Sequence, residues 1–150
     1  SGGGTAEINE GFPETGTFVL RCTGGSGVEV DRMTCGTLSG DLSGGSGLLG
    51  EFTVTEKAEF ELTGGSNMDI RGNVPELTLR QSGGGTSDLS DFFALEADID
   101  ISGGGTSRVA VQNKIRIEAS GGAQVLYLDS GSFQPDVEKD VSGGASVRPY

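Results

Sequence analysis

Arg21, Asp41, Glu61, Arg80, Asp100, Glu118 and Asp140 each stand two residues before a Ser or Thr that opens a Gly-Gly pair. Four residues before the same marks stand Val19, Ser39, Glu59, Thr78, Asp98, Arg116 and Glu138. Together the two series hold eight acids and three arginines. If the marks stack in space, Asp98, Asp100, Glu118, Glu138 and Asp140 crowd onto neighbouring positions of one face. Carboxylates in such a cluster have two chemistries open to them. They can gather a hard cation through oxygen ligands, Ca²⁺ being the natural one. Paired, with their pKa values driven apart, they can work as general acid and base on a glycosidic bond. A flat exposed ladder offers few backbone carbonyls, so Ca²⁺ is expected to bind weakly. It also does not perturb carboxylates as acid catalysis requires. The plainest expectation is a solvated face with charge pairs such as Glu61–Arg80–Asp100.

Composition removes other chemistries. The 150 residues carry a formal charge of -12 and no His. Without imidazole there is no Ser-His or Cys-His dyad. An acidic chain repels phosphate backbones, so nucleic acid is not an expected partner. No apolar run approaches the ~20 residues of a membrane-spanning helix. Thr23-Gly24-Gly25-Ser26-Gly27-Val28-Glu29-Val30-Asp31 partly matches a Ca²⁺-binding β-roll nonapeptide. It occurs once, on the wrong period. No Gly-rich stretch leads into Lys and a helix, so no phosphate loop is expected. No resident cofactor is expected.

The marks themselves define the architecture. They begin at Ser1, Thr23, Ser43, Thr63, Ser82, Ser102, Ser120 and Ser142, at steps of 22, 20, 20, 19, 20, 18 and 22 residues. The pairs from the second mark onward are Gly24-Gly25, Gly44-Gly45, Gly64-Gly65, Gly83-Gly84, Gly103-Gly104, Gly121-Gly122 and Gly143-Gly144. The next residue is always small. Positions one, three and five before each mark, and five and seven after it, are apolar at 30 of 37 places. The two positions between the preceding ones are charged at 11 of 14. Period two with one buried face means strands. Each unit therefore reads strand, Gly-Gly corner, strand, second corner. A single unit cannot bury its own inner face, whereas stacked units can. The expected fold is an all-β parallel β-helix of about seven to eight coils, in one domain over residues 1–150. Glycine at the corner admits positive φ and close approach of the next coil. A plug is expected in each second corner: Phe12, Met33, Val54, Val74, Phe93, Val111 and Phe133. Gly40 and Gly50 are expected to leave their coil thinly filled. Gln81, Ser87 and Ser107 place polar groups inside, and Lys139 suggests a last coil opening to solvent. Cys22 and Cys35 lie 13 residues apart on a ~20-residue coil. They form either a disulfide or two buried thiols.

The units Ala97-Asp98-Ile99-Asp100-Ile101-Ser102-Gly103-Gly104-Gly105 and Ala58-Glu59-Phe60-Glu61-Leu62-Thr63-Gly64-Gly65-Ser66 resemble the repeats of the auto-transporter adhesin head GIN domain family. The resemblance runs over essentially the whole chain. It implies a right-handed β-helix, pectin-lyase-like in shape, exported by Gram-negative bacteria and displayed at the surface or in the periplasm. It further implies a non-enzymatic role in adhesion, recognition or scaffolding, with a protein or glycan partner. The alternative is a polysaccharide lyase or hydrolase using acids of the outer sheet face. The family's corner is usually Ser-Gly-Ser-Gly, whereas Gly-Gly-Gly or Gly-Gly-Ser prevails here. The chain begins on a corner, so an N-terminal part is expected to be missing. The bare solenoid ends are expected to permit oligomerisation.

Overall fold

The computed structural model describes residues 5–8 and 16–150. The first corner, Ser1-Gly2-Gly3, and the plug Phe12 lie outside the described residues. The chain forms a parallel β-solenoid of about seven turns, with no helix among the described residues. The strands are β1 (Thr5–Ile8), β2 (Thr17–Cys22), β3 (Gly27–Leu42), β4 (Gly47–Gly64), β5 (Asn67–Gly83), β6 (Thr86–Gly103), β7 (Thr106–Gly121), β8 (Gln124–Tyr127), β9 (Asp136–Val141) and β10 (Ser146–Pro149). Strands β3 to β7 are long because each runs on through its second corner, where the register with its neighbours shifts. They pair in chain order, all parallel, and β2, β8, β9 and β10 complete the ladder at the two ends. Parallel pairing in chain order is what a 20-residue repeat requires, since each coil returns above the last.

The register stacks like upon like. Leu38, Ala58, Leu77, Ala97 and Ile115 are successive partners, as are Leu42, Leu62, Gln81, Ile101 and Ala119. These positions are buried, so one apolar column follows another up the axis. The alternation seen in the sequence is thus the inside and outside of the coil. Its exceptions have specific causes. Gly40 is not a void: the Phe60 ring, one coil on, lies where a Cβ on Gly40 would go, with Cδ1 at 2.6 Å. A Cβ on Gly50 would meet Val30 O at 2.8 Å and Val30 Cβ at 2.9 Å on the preceding coil, with the Phe52 ring at 3.0 Å. The expected thin filling is therefore corrected: the space beside both glycines is taken by neighbouring atoms.

The Gly-Gly corners are where the backbone turns. The first glycine of each described pair has positive φ, from 67° at Gly143 to 108° at Gly83. A Cβ on Gly83 would sit 2.5 Å from the Gly64 carbonyl oxygen. The second glycine differs. A Cβ on Gly25, Gly45, Gly84 or Gly104 would meet nothing within 4 Å, and one on Gly65 or Gly122 only a carbonyl oxygen at 3.8 Å. Collision with the preceding coil thus constrains Gly44, Gly64, Gly83, Gly103 and Gly121, and not their partners as the repeat alone suggests. The second glycine instead donates its N–H across coils. Gly65 N donates to Gly44 O at 2.8 Å and Gly122 N to Gly103 O at 2.7 Å. The ladder therefore continues unbroken through the corner, which satisfies backbone groups that a turn would otherwise strand.

The second corners carry their plugs with one correction. Met33, Val54, Val74 and Val111 are buried, but Phe93 is 43% exposed and its neighbour Phe92 is buried. Ser90 donates its N–H and hydroxyl to Asp88 Oδ1 at 3.1 and 2.6 Å, and the register shifts between Leu89 and Phe93. The tight turn inserts one residue relative to β5 and three relative to β7, and it inverts the alternation. Phe92 then meets Phe60 edge-on at 6.4 Å, while Phe93 lies against Phe133 at 5.2 Å on the outside. Phe133 is only half-buried.

Candidate functional site

The two charged series do become straight columns. Arg21, Asp41, Glu61, Arg80, Asp100, Glu118 and Asp140 are consecutive partners on successive coils. So are Val19, Ser39, Glu59, Thr78, Asp98, Arg116 and Glu138. The strands carry them outward because the intervening residues, such as Ile99 and Ile117, are locked in the core. Asp98, Asp100, Glu118, Glu138 and Asp140 are all exposed. Arg116 sits among them. Its Nη2 donates to Glu118 Oε1 at 2.7 Å within the same strand. That hydrogen bond, then the charges of Glu118, Glu138 and Asp98, push the Arg116 guanidinium pKa up. Lys57 is raised in the same manner, chiefly by its 2.9 Å hydrogen bond to Glu59.

The expected ladder pairing Glu61–Arg80–Asp100 is not among the ion pairs of the described residues. On this face the pairs run along a strand, Lys57–Glu59 and Arg116–Glu118. Side chains two apart on one strand project to the same side, and pairing along the strand leaves both heads in water. Rung-to-rung pairs occur elsewhere: Arg32–Glu51 at 3.2 Å and Arg108–Asp88 at 3.6 Å. No group of three or more acidic or cysteine side chains among the described residues is close enough to hold a metal ion. Two depressions open on the charged face. One of about 380 Å³ lies over Arg21, Asp41, Glu61 and Arg80. Another of about 250 Å³ lies between Glu76, Glu96, Asp98 and Arg116.

A family model described as "Putative auto-transporter adhesin, head GIN domain" matches residues 1–131. The chain belongs to this family. No curated protein and no solved structure matches it. No helix among the described residues is long and apolar enough to cross a membrane.

The GIN domain interior holds the remaining candidates for chemistry. Cys22 and Cys35 are both free and buried. Burial pushes both thiols up, with Asp41 adding to the effect at Cys22. Gln81 donates through Nε2 to Gly85 O at 2.5 Å and accepts from the Ser87 hydroxyl at 2.9 Å. A Cβ on Gly105 would collide with that amide; Gly85 and Gly105 stand where Ser26, Ser46, Ser66, Ala123 and Ala145 stand in other coils. Ser107 Oγ is buried without a partner among the described residues.

A further depression lies off the charged face. It spans about 640 Å³ beside Leu49, where Gly27 and Gly47 present no side chains outward. Leu49 is 46% exposed. Neither feature stands out in the sequence alone. The signal is an apolar residue at an outer position flanked, one coil apart, by two glycines.

Proposed function

We propose that the chain is a non-enzymatic recognition module, exported and held at the bacterial surface or in the periplasm, that binds a protein or glycan partner along its outer columns. One observation carries the reading. The outer positions flanking the Gly-Gly corners stack into straight columns at ~4.8 Å spacing, on a rod from a family named for adhesin heads. Such a rod presents many equivalent weak contacts in a fixed line, and simultaneous engagement multiplies weak contacts into useful avidity. The open faces suit this better than catalysis. The acids stand in solvent on a flat sheet, while Phe60 and Phe92 pack inward.

The test is a glycan and matrix-protein array probed with the purified domain. Saturable binding to one class, weakened tenfold or more by Arg116→Glu or Arg80→Glu, supports the reading. Release of sugar ends from a polysaccharide panel, abolished by Asp100→Asn, sinks it in favour of an enzyme.

A further inference from the structure

The outer face after the Gly-Gly corner carries a column of its own. Glu7, Glu29, Leu49, Asp69, Asp88, Arg108, Leu126 and Arg148 are consecutive partners on eight coils, and the seven from Glu29 to Arg148 make the stripe. At ~4.8 Å per rung the stripe is about 29 Å long. Its order is acidic toward one end and basic toward the other, with one leucine in each half. Glu29, Asp69 and Arg148 have no ion-pair partner among the described residues, and Arg108 reaches only Asp88, at 3.6 Å.

We propose that this stripe is a self-association surface, and that its occupant is a second copy of the same chain, turned end over end about a two-fold axis through Asp88. The register then matches at the other six rungs from Glu29 to Arg148, while Glu7 extends past the overlap. Glu29 faces the partner's Arg148, Leu49 faces the partner's Leu126, and Asp69 faces the partner's Arg108. Each contact occurs twice, as an isologous interface requires. The shape agrees with the charge. The 640 Å³ depression beside Leu49 lies where the partner's Leu126 arrives, and Gly27 and Gly47 clear the way for it. Asp88 meets its own copy at the axis, and each Arg108 is shared between its own Asp88, at 3.6 Å, and the partner's Asp69. Asp69 and Asp88 are like charges on adjacent rungs, and the partner's Arg108 relieves that repulsion.

The contact is modest. Outer positions along a strand repeat every ~6.6 Å, so three columns cover about 500 Å² per copy, at the low end for a specific interface. Each chain also carries a net charge of -12, which opposes association at long range. The dimer is therefore weak and reversible, filling at on the order of 0.1–1 mM protein. The pairing does not depend on the adhesin reading, and either can fail alone.

Sedimentation equilibrium of the whole chain at 0.15 M salt tests it. A reversible dimer is expected, with Asp69→Arg and Arg108→Asp each weakening it tenfold or more. An equimolar mixture of those two variants must recover the dimer, because both crossed pairs are then opposite in sign. Glu29→Arg and Arg148→Glu repeat the test at the ends of the stripe. All four side chains are exposed, and circular dichroism confirms that the fold is kept. A monomer at every concentration up to about 1 mM overturns the proposal. So does a dimer indifferent to all four variants, which would place association at the open solenoid ends.

Discussion

Gly83→Ala and Gly84→Ala differ by one position in the same corner and should differ several-fold in cost. Gly83 has φ of 108°, a region that L-residues avoid. Forcing a Cβ there costs roughly 1–3 kcal/mol in backbone strain. The new methyl also stands 2.5 Å from Gly64 O and 3.0 Å from Gly64 N. Both are backbone atoms, and Gly64 O accepts the N–H of Gly84 at 3.0 Å. The coil cannot retreat without stretching that bond, and displacing packed neighbours costs about 1–3 kcal/mol more. The expected loss is therefore about 2–6 kcal/mol, against a total stability of about 5–15 kcal/mol for a domain of ordinary stability. At Gly84 a Cβ meets nothing within 4 Å and φ is not positive. Alanine there should be neutral, or stabilising by up to about 1 kcal/mol because the unfolded chain is stiffened. Urea melts followed by far-UV circular dichroism give the comparison, read from midpoints at unchanged slope. Equal losses at the two sites would refute the assignment of the turn to the first glycine.

Three further outcomes follow from the interior and the charged face. Ser107→Ala removes a buried hydroxyl without a partner and should stabilise the domain by about 1 kcal/mol, whereas Ser87→Ala strands Gln81 Oε1 and should cost about 1–3 kcal/mol; thermal melts that rank them the other way contradict the polar core described. The Cys22 and Cys35 thiols have pKa values raised in the fold above the usual 9.0, so the folded state holds more protons than the unfolded one above that pH. The thiols' contribution to stability should be level below pH 9 and be lost as pH rises beyond it, less so in Cys35→Ala, and neither thiol should react with a disulfide reagent at pH 7 until urea unfolds the chain. Millimolar Ca²⁺ should raise the melting temperature by only a degree or two, no more than monovalent salt at equal ionic strength; micromolar Ca²⁺ binding lost in Asp100→Asn with Glu118→Gln would mean that Asp98, Asp100, Glu118, Glu138 and Asp140 close on the ion after all.

The parts of the fold legible in the sequence are those governed by a local rule. Period two marks inside from outside over Ala97-Asp98-Ile99-Asp100-Ile101, because successive strand residues must alternate whatever surrounds them. Positive φ leaves its trace as glycine at every corner. What escaped depends on which residues lie 18 to 22 places apart. Gly40 looks like a gap until Phe60 is placed on the next rung. Phe93 looks like a plug until the turn at Asp88 and Ser90 adds a residue and turns Phe92 inward instead. The charged columns were legible because each lies at a fixed count before a Gly-Gly mark. The stripe from Glu29 to Arg148 was not, since its chemistry changes from rung to rung and has meaning only once the rungs are stacked.

That division also bears on how such a rod acquires a partner. The corner demands glycine at one position, and the core demands apolar residues at about five positions per coil. The outer positions answer to neither demand. Strand pairing is carried by backbone groups, so exchanging Glu29 for Arg or Thr78 for Asp leaves the ladder and the core as they are. Exposed substitutions of this kind usually change stability by less than about 0.5 kcal/mol. Yet each alters one rung of a column whose neighbours stand ~4.8 Å away, where a unit charge is felt at about 1 kcal/mol even in water. Recognition can therefore be rewritten rung by rung while the fold stays constant. On this argument the identity of the partner is held in the columns beginning at Arg21, Val19 and Glu29, and the repeat that makes the fold so legible is silent about it.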